Sequence, residues 1–131
     1  MGYITIPKIN VLLPIKHYTT TEVLATGVGH LYGSSLPVGG ESSHSVLTGH
    51  SALITARLFT DLDQLVIGDK FSITTAGKTI NYEVDQILTV LPDEFDALTI
   101  EEGQDYCTLI TCTPYAINTH RLLVRGHRIA D

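Results

Sequence analysis

The sequence has no long hydrophobic run. A membrane-spanning helix needs about 20 consecutive apolar residues, and the longest clean apolar run here, residues 11–15, is much shorter and contains Pro14. We find no secretory signal, and the N-terminus does not match a myristoylation pattern because the sixth residue is Ile6. We therefore expect any export signal or membrane anchor to belong to a longer parent chain.

Basic residues are few and scattered. The chain has 8 Lys and Arg against 14 Asp and Glu, which gives a net charge of −6. Six of the acidic residues crowd between Asp93 and Asp105, whereas three arginines follow Cys112. Binding to nucleic-acid phosphates uses a basic stripe or patch. Because no such stripe is present, we expect no nucleic-acid partner.

The chain has only two cysteines, Cys107 and Cys112. On one strand, five residues span roughly 16 Å at about 3.3 Å each. A disulfide needs Cα atoms within about 7 Å, so we expect two separate thiols. Neither C-x-x-C nor H-x-x-x-H spacing occurs among the cysteines and the six histidines. We therefore expect no metal and no other cofactor.

Short strand patterns dominate the chain, and its length favours one domain, residues 1–131. Runs rich in β-branched residues predict strands at 3–15 (punctuated by Pro7 and Pro14), 44–48, 70–75, 78–90, 105–112 and 120–129. Residues 70–75 and 78–90 form a predicted hairpin around Ala76-Gly77. A capping-box pattern predicts a short helix at 19–27, and leucine spacing predicts another at 55–65, ended by Gly68. Together these patterns predict a closed all-β barrel.

Cys112 is the first candidate for chemistry. It lies at the end of a predicted strand, and Pro114 stops that strand because proline cannot donate to a ladder. A thiol there is held by rigid backbone and open to a cleft, as a reactive cysteine requires. The alternative is a buried structural cysteine, which composition alone favours. We expect that structural role for Cys107, which lies in mid-strand.

His50 and Arg121 also lie at strand ends. An imidazole at such a position can act as an acid or base near neutral pH. A guanidinium is always charged, so it would favour a neighbouring thiolate or stabilise an oxyanion. Taken singly, each residue is more often an ordinary surface or core residue. Most of the other five histidines are expected to be ordinary surface or core residues.

The residues around Cys112 resemble the sortase family. The run Thr108-Leu109-Ile110-Thr111-Cys112 is similar to the sortase signature T-L-x-T-C. Similarity to the pilus-assembling class C branch extends over almost the whole chain, from about residue 3 to residue 128. It is carried by the runs at 29–31, 35–40, 45–50, 58–62, 113–115 and 118–126.

This resemblance implies a sortase-type barrel of eight strands with one to three short helices. It also implies that Cys112 is the nucleophile, His50 the acid/base and Arg121 the electrostatic partner. A Leu-Pro-x-Thr-Gly sorting signal would be cleaved between Thr and Gly through a thioester, which a pilin lysine amine resolves. We further expect the end of the signature and the loop after it to contact the substrate, through Thr111, Thr113, Pro114 and Tyr115.

The resemblance also implies partners and a location. Sorting-signal-bearing pilins or surface proteins would be the substrates, and a lysine-bearing pilin would be the acceptor. We expect a monomer on the extracellular face of the membrane of a Gram-positive bacterium. Class C members usually carry an N-terminal lid, and we expect the lid and the membrane anchors to be absent from this chain. Ser51 follows His50 where many relatives have arginine, which leaves the local hydrogen bonding around His50 open but not the assignment of His50.

Three alternatives remain open at this point. A housekeeping sortase would anchor proteins to peptidoglycan instead of polymerising pilins. A plain cysteine peptidase would hydrolyse its substrate at the same rate with or without an added amine. A non-catalytic β-barrel binding module would form no thioester and would bind normally after Cys112→Ala.

Overall fold

Eight strands make up most of the computed structural model, which describes residues 2–17, 28–31, 34–48, 62–75, 77–91, 94, 96–113 and 120–129. For His17, Cys112 and Thr113 the description covers the backbone alone. The strands are β1 (Gly2–Ile6), β2 (Val11–His17), β3 (Val28–His30), β4 (Ser43–Thr48), β5 (Lys70–Thr75), β6 (Lys78–Val90), β7 (Asp105–Thr113) and β8 (His120–Ile129).

The strands close into a barrel in the order β1-β2-β3-β4-β7-β8-β6-β5, with β5 paired back to β1. This confirms the predicted all-β barrel of eight strands. Most neighbouring strands are antiparallel, but β2 pairs with β3 and β4 with β7 in parallel. Because β4 and β7 run in the same direction, their carboxyl ends lie at the same edge of the sheet.

The predicted run at 3–15 is a hairpin of two strands. Pro7 opens a short 3-10 helix, Pro7–Ile9, between β1 and β2, and Asn10 follows it with a positive φ of 54°. Pro14 lies inside β2, where that strand pairs with β1 but has not yet met β3, which it pairs with only at residues 15–17. A proline is tolerated there because that edge of the ladder is open.

The helix predictions fall largely outside the described residues. The predicted helix at 19–27 lies wholly outside them, and of the one at 55–65 only the end is described, as the 3-10 helix Leu62–Gln64. Gly68, the predicted stop, has a φ of 99°. A third 3-10 helix is Asp96–Leu98. No helix among the described residues has the length and apolar character needed to cross a membrane.

The barrel interior is filled by side chains from alternate strand positions. Leu109 and Cys107 on β7 and Val124 on β8 are fully buried. Gly126 lies on β8 where no side chain fits, since a Cβ there would come within 2.7 Å of a ring carbon of Phe71. Alternation along β8 from Val124 and Gly126 therefore assigns Arg121 and Arg125 to the outer face.

Candidate active site

Cys112 and Arg121 are direct register partners in the antiparallel pair of β7 and β8. On its other side, Arg121 pairs with Val90, the last residue of β6. Direct partners across a ladder lie on the same face of the sheet. The row Cys112–Arg121–Val90 therefore crosses three adjacent strands at one end of the barrel.

The parallel pair of β4 and β7 also ends at this end of the barrel. Thr48, the last residue of β4, is the register partner of Ile110. His50 follows Thr48 by two residues, and Cys112 follows Ile110 by two residues. His50 itself lies outside the described residues, as do Pro114 and Tyr115.

Arg121 differs from the other arginine on the outer face of β8. The guanidinium of Arg125 bonds Asp85 through Nε at 2.9 Å and Nη2 at 3.2 Å, and it stacks 3.9 Å from the centre of the Tyr106 ring. Arg121 is half-buried, and its Nη1 donates to the backbone oxygen of His120 at 3.1 Å. Arg125 is thus held by structural contacts, and its register partner on β7 is Thr108 rather than Cys112.

Three of the other histidines have structural partners, as expected. His30 Nε2 contacts Ser34 and the backbone oxygen of Ser35 at 2.7 Å. His127 Nδ1 lies 3.2 Å from Asp85. His44 is buried between Thr99 and Thr108, and burial lowers its pKa below the ordinary value of 6.5.

Thr111 and Cys107 occupy the inner side of β7. Thr111 is 3% exposed, and its hydroxyl finds no hydrogen-bond partner within the described part of the chain. Cys107 is a free cysteine with no exposed surface, and burial raises the pKa of its thiol to about 12. The structural role expected for Cys107 fits this environment, because a buried neutral thiol is inert.

Two polar clusters were not predicted from the sequence. On the outer face, Asp85 holds Arg125 and His127 from a bulge in β6, where the register shifts between Val84 and Gln86. At the opposite end of β7, Asp105 accepts hydrogen bonds from residues of three segments. These donors are Tyr82 Oη at 2.8 Å, the Gly40 N–H at 2.8 Å and Arg128 Nη1 at 3.3 Å. No local pattern predicts such contacts, because the partners lie far apart along the chain.

Among the described residues, no three His, Cys, Asp or Glu side chains come together as a metal site would require. At the end of β7, the described groups are the backbone of Cys112, the guanidinium of Arg121 and flanking apolar residues.

Comparison with known proteins agrees with the barrel and with this arrangement of strands. The sortase domain family model matches residues 4–129, so this chain belongs to the sortase family. The solved sortase C1 of Streptococcus agalactiae is 57% identical, with a TM-score of 0.98 over 100% of this chain and 68% of its own. The pilus-related sortase C of Group B Streptococcus is 53% identical, with a TM-score of 0.97 over 98% of this chain and 66% of its own.

More distant relatives agree. The sortase A of Bacillus anthracis is 29% identical over 126 residues, which make up 96% of this chain and 58% of that protein. The chain thus spans less than two-thirds of the length of the curated relatives it matches. The resemblance to the class C branch is confirmed by the sortase C neighbours, and the expected family is confirmed by the family match.

Proposed function

We propose that this chain is the catalytic core of a class C sortase that cleaves a Leu-Pro-x-Thr-Gly-like signal between Thr and Gly. The Cys112 thiolate attacks the Thr carbonyl, and the peptide C–N bond breaks as His50 gives its proton to the departing Gly amine. The resulting thioester on Cys112 is then attacked by the lysine amine of a pilin. An isopeptide bond forms, the thiolate is released, and the proton that the amine loses passes to His50.

Arg121 has the electrostatic role in this proposal. A fixed guanidinium beside the sulfur favours the thiolate over the thiol. The same group stabilises the negative charge that develops on the Thr carbonyl oxygen during attack. Arg125 cannot substitute for it, because its donors are engaged by Asp85.

The observation that carries the proposal is the strand register at this end of the barrel. Direct partners in an antiparallel pair have Cβ atoms about 4.5–5.5 Å apart, and Cys112 and Arg121 are such partners. Two residues of chain reach at most about 7 Å. His50 is two residues beyond Thr48, whose partner Ile110 is two residues before Cys112. This register supports a shared site at one edge of the barrel for Cys112, Arg121 and His50.

The proposed substrate contacts are Thr111, Thr113, Pro114 and Tyr115. The register supports Thr113, because it continues β7 directly past Cys112. Partly exposed apolar residues, Ile110 and Leu88, flank the same outer face. An apolar wall of this kind would shield the thioester from water while a lysine amine enters.

Pilins or other surface proteins with the sorting signal are the proposed substrates, and a pilin lysine is the proposed acceptor. The 53% identity to the pilus-related sortase C of Group B Streptococcus supports this choice. We place the enzyme as a monomer on the extracellular face of a Gram-positive membrane, anchored through segments outside residues 1–131.

A transfer assay tests the proposal. Three parallel reactions all contain the chain and a Leu-Pro-x-Thr-Gly peptide. The first also contains a pilin fragment with a lysine, the second a peptidoglycan stem peptide, and the third no amine. We expect an isopeptide-linked product with the pilin fragment and none with a Lys→Arg version of that fragment.

The other outcomes identify the alternatives. Transfer to the stem peptide alone would indicate a housekeeping sortase. Equal hydrolysis in all three reactions would indicate a peptidase. Binding of the peptide with no cleavage, unchanged by Cys112→Ala, would indicate a binding module.

A further inference from the structure

The buried side chain of His44 joins three segments of the chain. His44 lies on β4, and its Nε2 forms a hydrogen bond with the hydroxyl of Thr108 on β7. Its Nδ1 lies 3.0 Å from the backbone oxygen of Thr99, in the β6–β7 connection of residues 91–104. A carbonyl oxygen can only accept, so Nδ1 carries the proton and the Thr108 hydroxyl donates to Nε2.

The β6–β7 connection starts beside the proposed active site. It leaves β6 at Val90, the register partner of Arg121. Among its described residues up to Leu98, the hydrogen bonds stay within the connection, as between Leu91 and Glu94. Bonds to the barrel begin at Thr99, with the contact to His44, and continue at Glu101, whose carboxylate accepts from Tyr106 at 3.2 Å.

The surroundings of His44 make this anchor specific. The imidazole is 1% exposed, and it packs edge-on against the Tyr106 ring, with 5.5 Å between centroids. Buried hydrogen bonds are costly to leave unmade, so the Thr99 oxygen and the Thr108 hydroxyl hold the ring in one orientation. The first anchored point of the connection is therefore fixed relative to both β4 and β7.

We propose that His44 is a positioning residue that holds the β6–β7 connection beside the active site through the Thr99 carbonyl. This inference rests on the proposed function for its consequence, which is an effect on the sorting-signal substrate. The connection leaves β6 immediately after Val90, the register partner of Arg121, so its placement would shape the space where the signal binds. His44 is six residues before His50, and its register partner Tyr106 is six residues before Cys112. His44 is therefore a positioning residue and not a reacting group.

Two substitutions of His44 separate anchoring from packing. In His44→Asn, the amide nitrogen can occupy the place of Nδ1 and still donate to Thr99. In His44→Gln, the amide occupies the place of Nε2, so the contact with Thr108 remains and the bond to Thr99 is lost. Asn is the smaller residue, so a purely structural role predicts the greater damage from His44→Asn. His127→Gln is the control for loss of an outer-face histidine.

The two measurements are hydrogen exchange at the amides of residues 96–104 and the steady-state kinetics of peptide cleavage. We expect His44→Gln to raise local exchange and KM by about tenfold each, the factor that one lost hydrogen bond typically carries in an equilibrium constant. We expect kcat to stay within about twofold, because the reacting groups are untouched. His44→Asn and His127→Gln should stay close to the wild type in both measurements.

The inference is overturned if His44→Asn is more damaging than His44→Gln, or if exchange rises evenly over the whole barrel. It is also overturned if local exchange rises in His44→Gln while KM does not change. Failure of the wild-type chain to cleave the peptide would defeat the proposed function. In that case the exchange comparison alone decides whether His44 anchors the connection.

Discussion

Cys112 is the direct register partner of Arg121 in the ladder of β7 and β8, while Arg125, four residues further along β8, is the partner of Thr108. The register therefore gives Arg121 and Arg125, on the same strand, different surroundings. One is placed against the cysteine, and the other is held by Asp85.

Replacing Arg121 should impair catalysis with little loss of stability. We expect Arg121→Ala to lower kcat/KM for thioester formation by about 10²–10³, the usual cost of removing one oxyanion or thiolate donor. Arg121→Lys keeps the charge but not the fork, so it should recover only part of the loss. The measurement is the rate of acyl-enzyme formation, with the urea midpoint as control. A wild-type rate in Arg121→Ala would contradict the assigned role.

Replacing Arg125 should have the opposite profile. Arg125→Ala removes the bonds to Asp85 and the stacking on Tyr106, and leaves the carboxylate without its main partner. We expect a loss of about 1–3 kcal/mol in the free energy of unfolding, measured by urea denaturation. Below the unfolding transition, the acylation rate should change less than in Arg121→Ala. An equal catalytic loss in both variants would remove the distinction between the two arginines.

The strands could be predicted from sequence because their signals are local. Alternating β-branched residues bounded by Ala76-Gly77 predicted the β5–β6 hairpin, and its strands have the expected bounds. The three residues of β3 are too few to show a period, so that strand was missed. The bulge at Asp85 and the parallel pairing of β4 with β7 depend on partners tens of residues away, which no local pattern specifies.

The same limit applies to the site. The position of Cys112 at a strand end was visible from Pro114, but its pairing with Arg121 depends on how β7 and β8 align. His44 was expected to be an ordinary structural histidine. Its contact with Thr99 spans 55 positions of the chain, so only the fold reveals that it joins β4 to the β6–β7 connection.

The thiol of Cys107 should not react with reagents in the folded protein. Its thiol is fully buried and its pKa is raised to about 12, against 9.0 for an ordinary cysteine. One thiol should therefore react with a small alkylating reagent in the native state and two after unfolding. The thiol of the unfolded chain ionises at a lower pH than the thiol of the folded chain. The contribution of Cys107 to the free energy of unfolding is therefore complete below pH 9 and is lost as the pH rises towards 12. Cys107→Ala should remove this alkaline slope, and two fast-reacting native thiols would refute the prediction.

His44 should make the barrel sensitive to acid. Burial lowers its pKa below 6.5, so below that pH the unfolded chain binds a proton that the folded chain does not. The stability it supports is complete above 6.5 and falls as the pH drops through that value towards the lowered pKa. Urea unfolding of the wild type and of His44→Asn at a series of pH values measures this. Equal slopes below 6.5 would exclude His44 as the source.

Gly126 should not tolerate even a methyl group. A Cβ there would lie 2.7 Å from a Phe71 ring carbon and 2.9 Å from Tyr82 Cβ. We expect Gly126→Ala to lower the free energy of unfolding by about 1–3 kcal/mol through overpacking. The exposed substitution Thr89→Ala on β6 serves as control and should change it by no more than about 0.5 kcal/mol. An unchanged free energy of unfolding in Gly126→Ala would mean that Phe71 and Tyr82 can move to make room for the methyl group.

The most direct test of the account is the mass of the intact protein after incubation with a Leu-Pro-x-Thr-Gly peptide, followed by mapping of the modified residue. The account predicts one added peptide fragment ending in Thr, attached to Cys112, and none in Cys112→Ala. It also predicts little adduct in His50→Ala or Arg121→Ala over the same time. An adduct on Cys107, or no adduct on a folded wild-type chain, would contradict it.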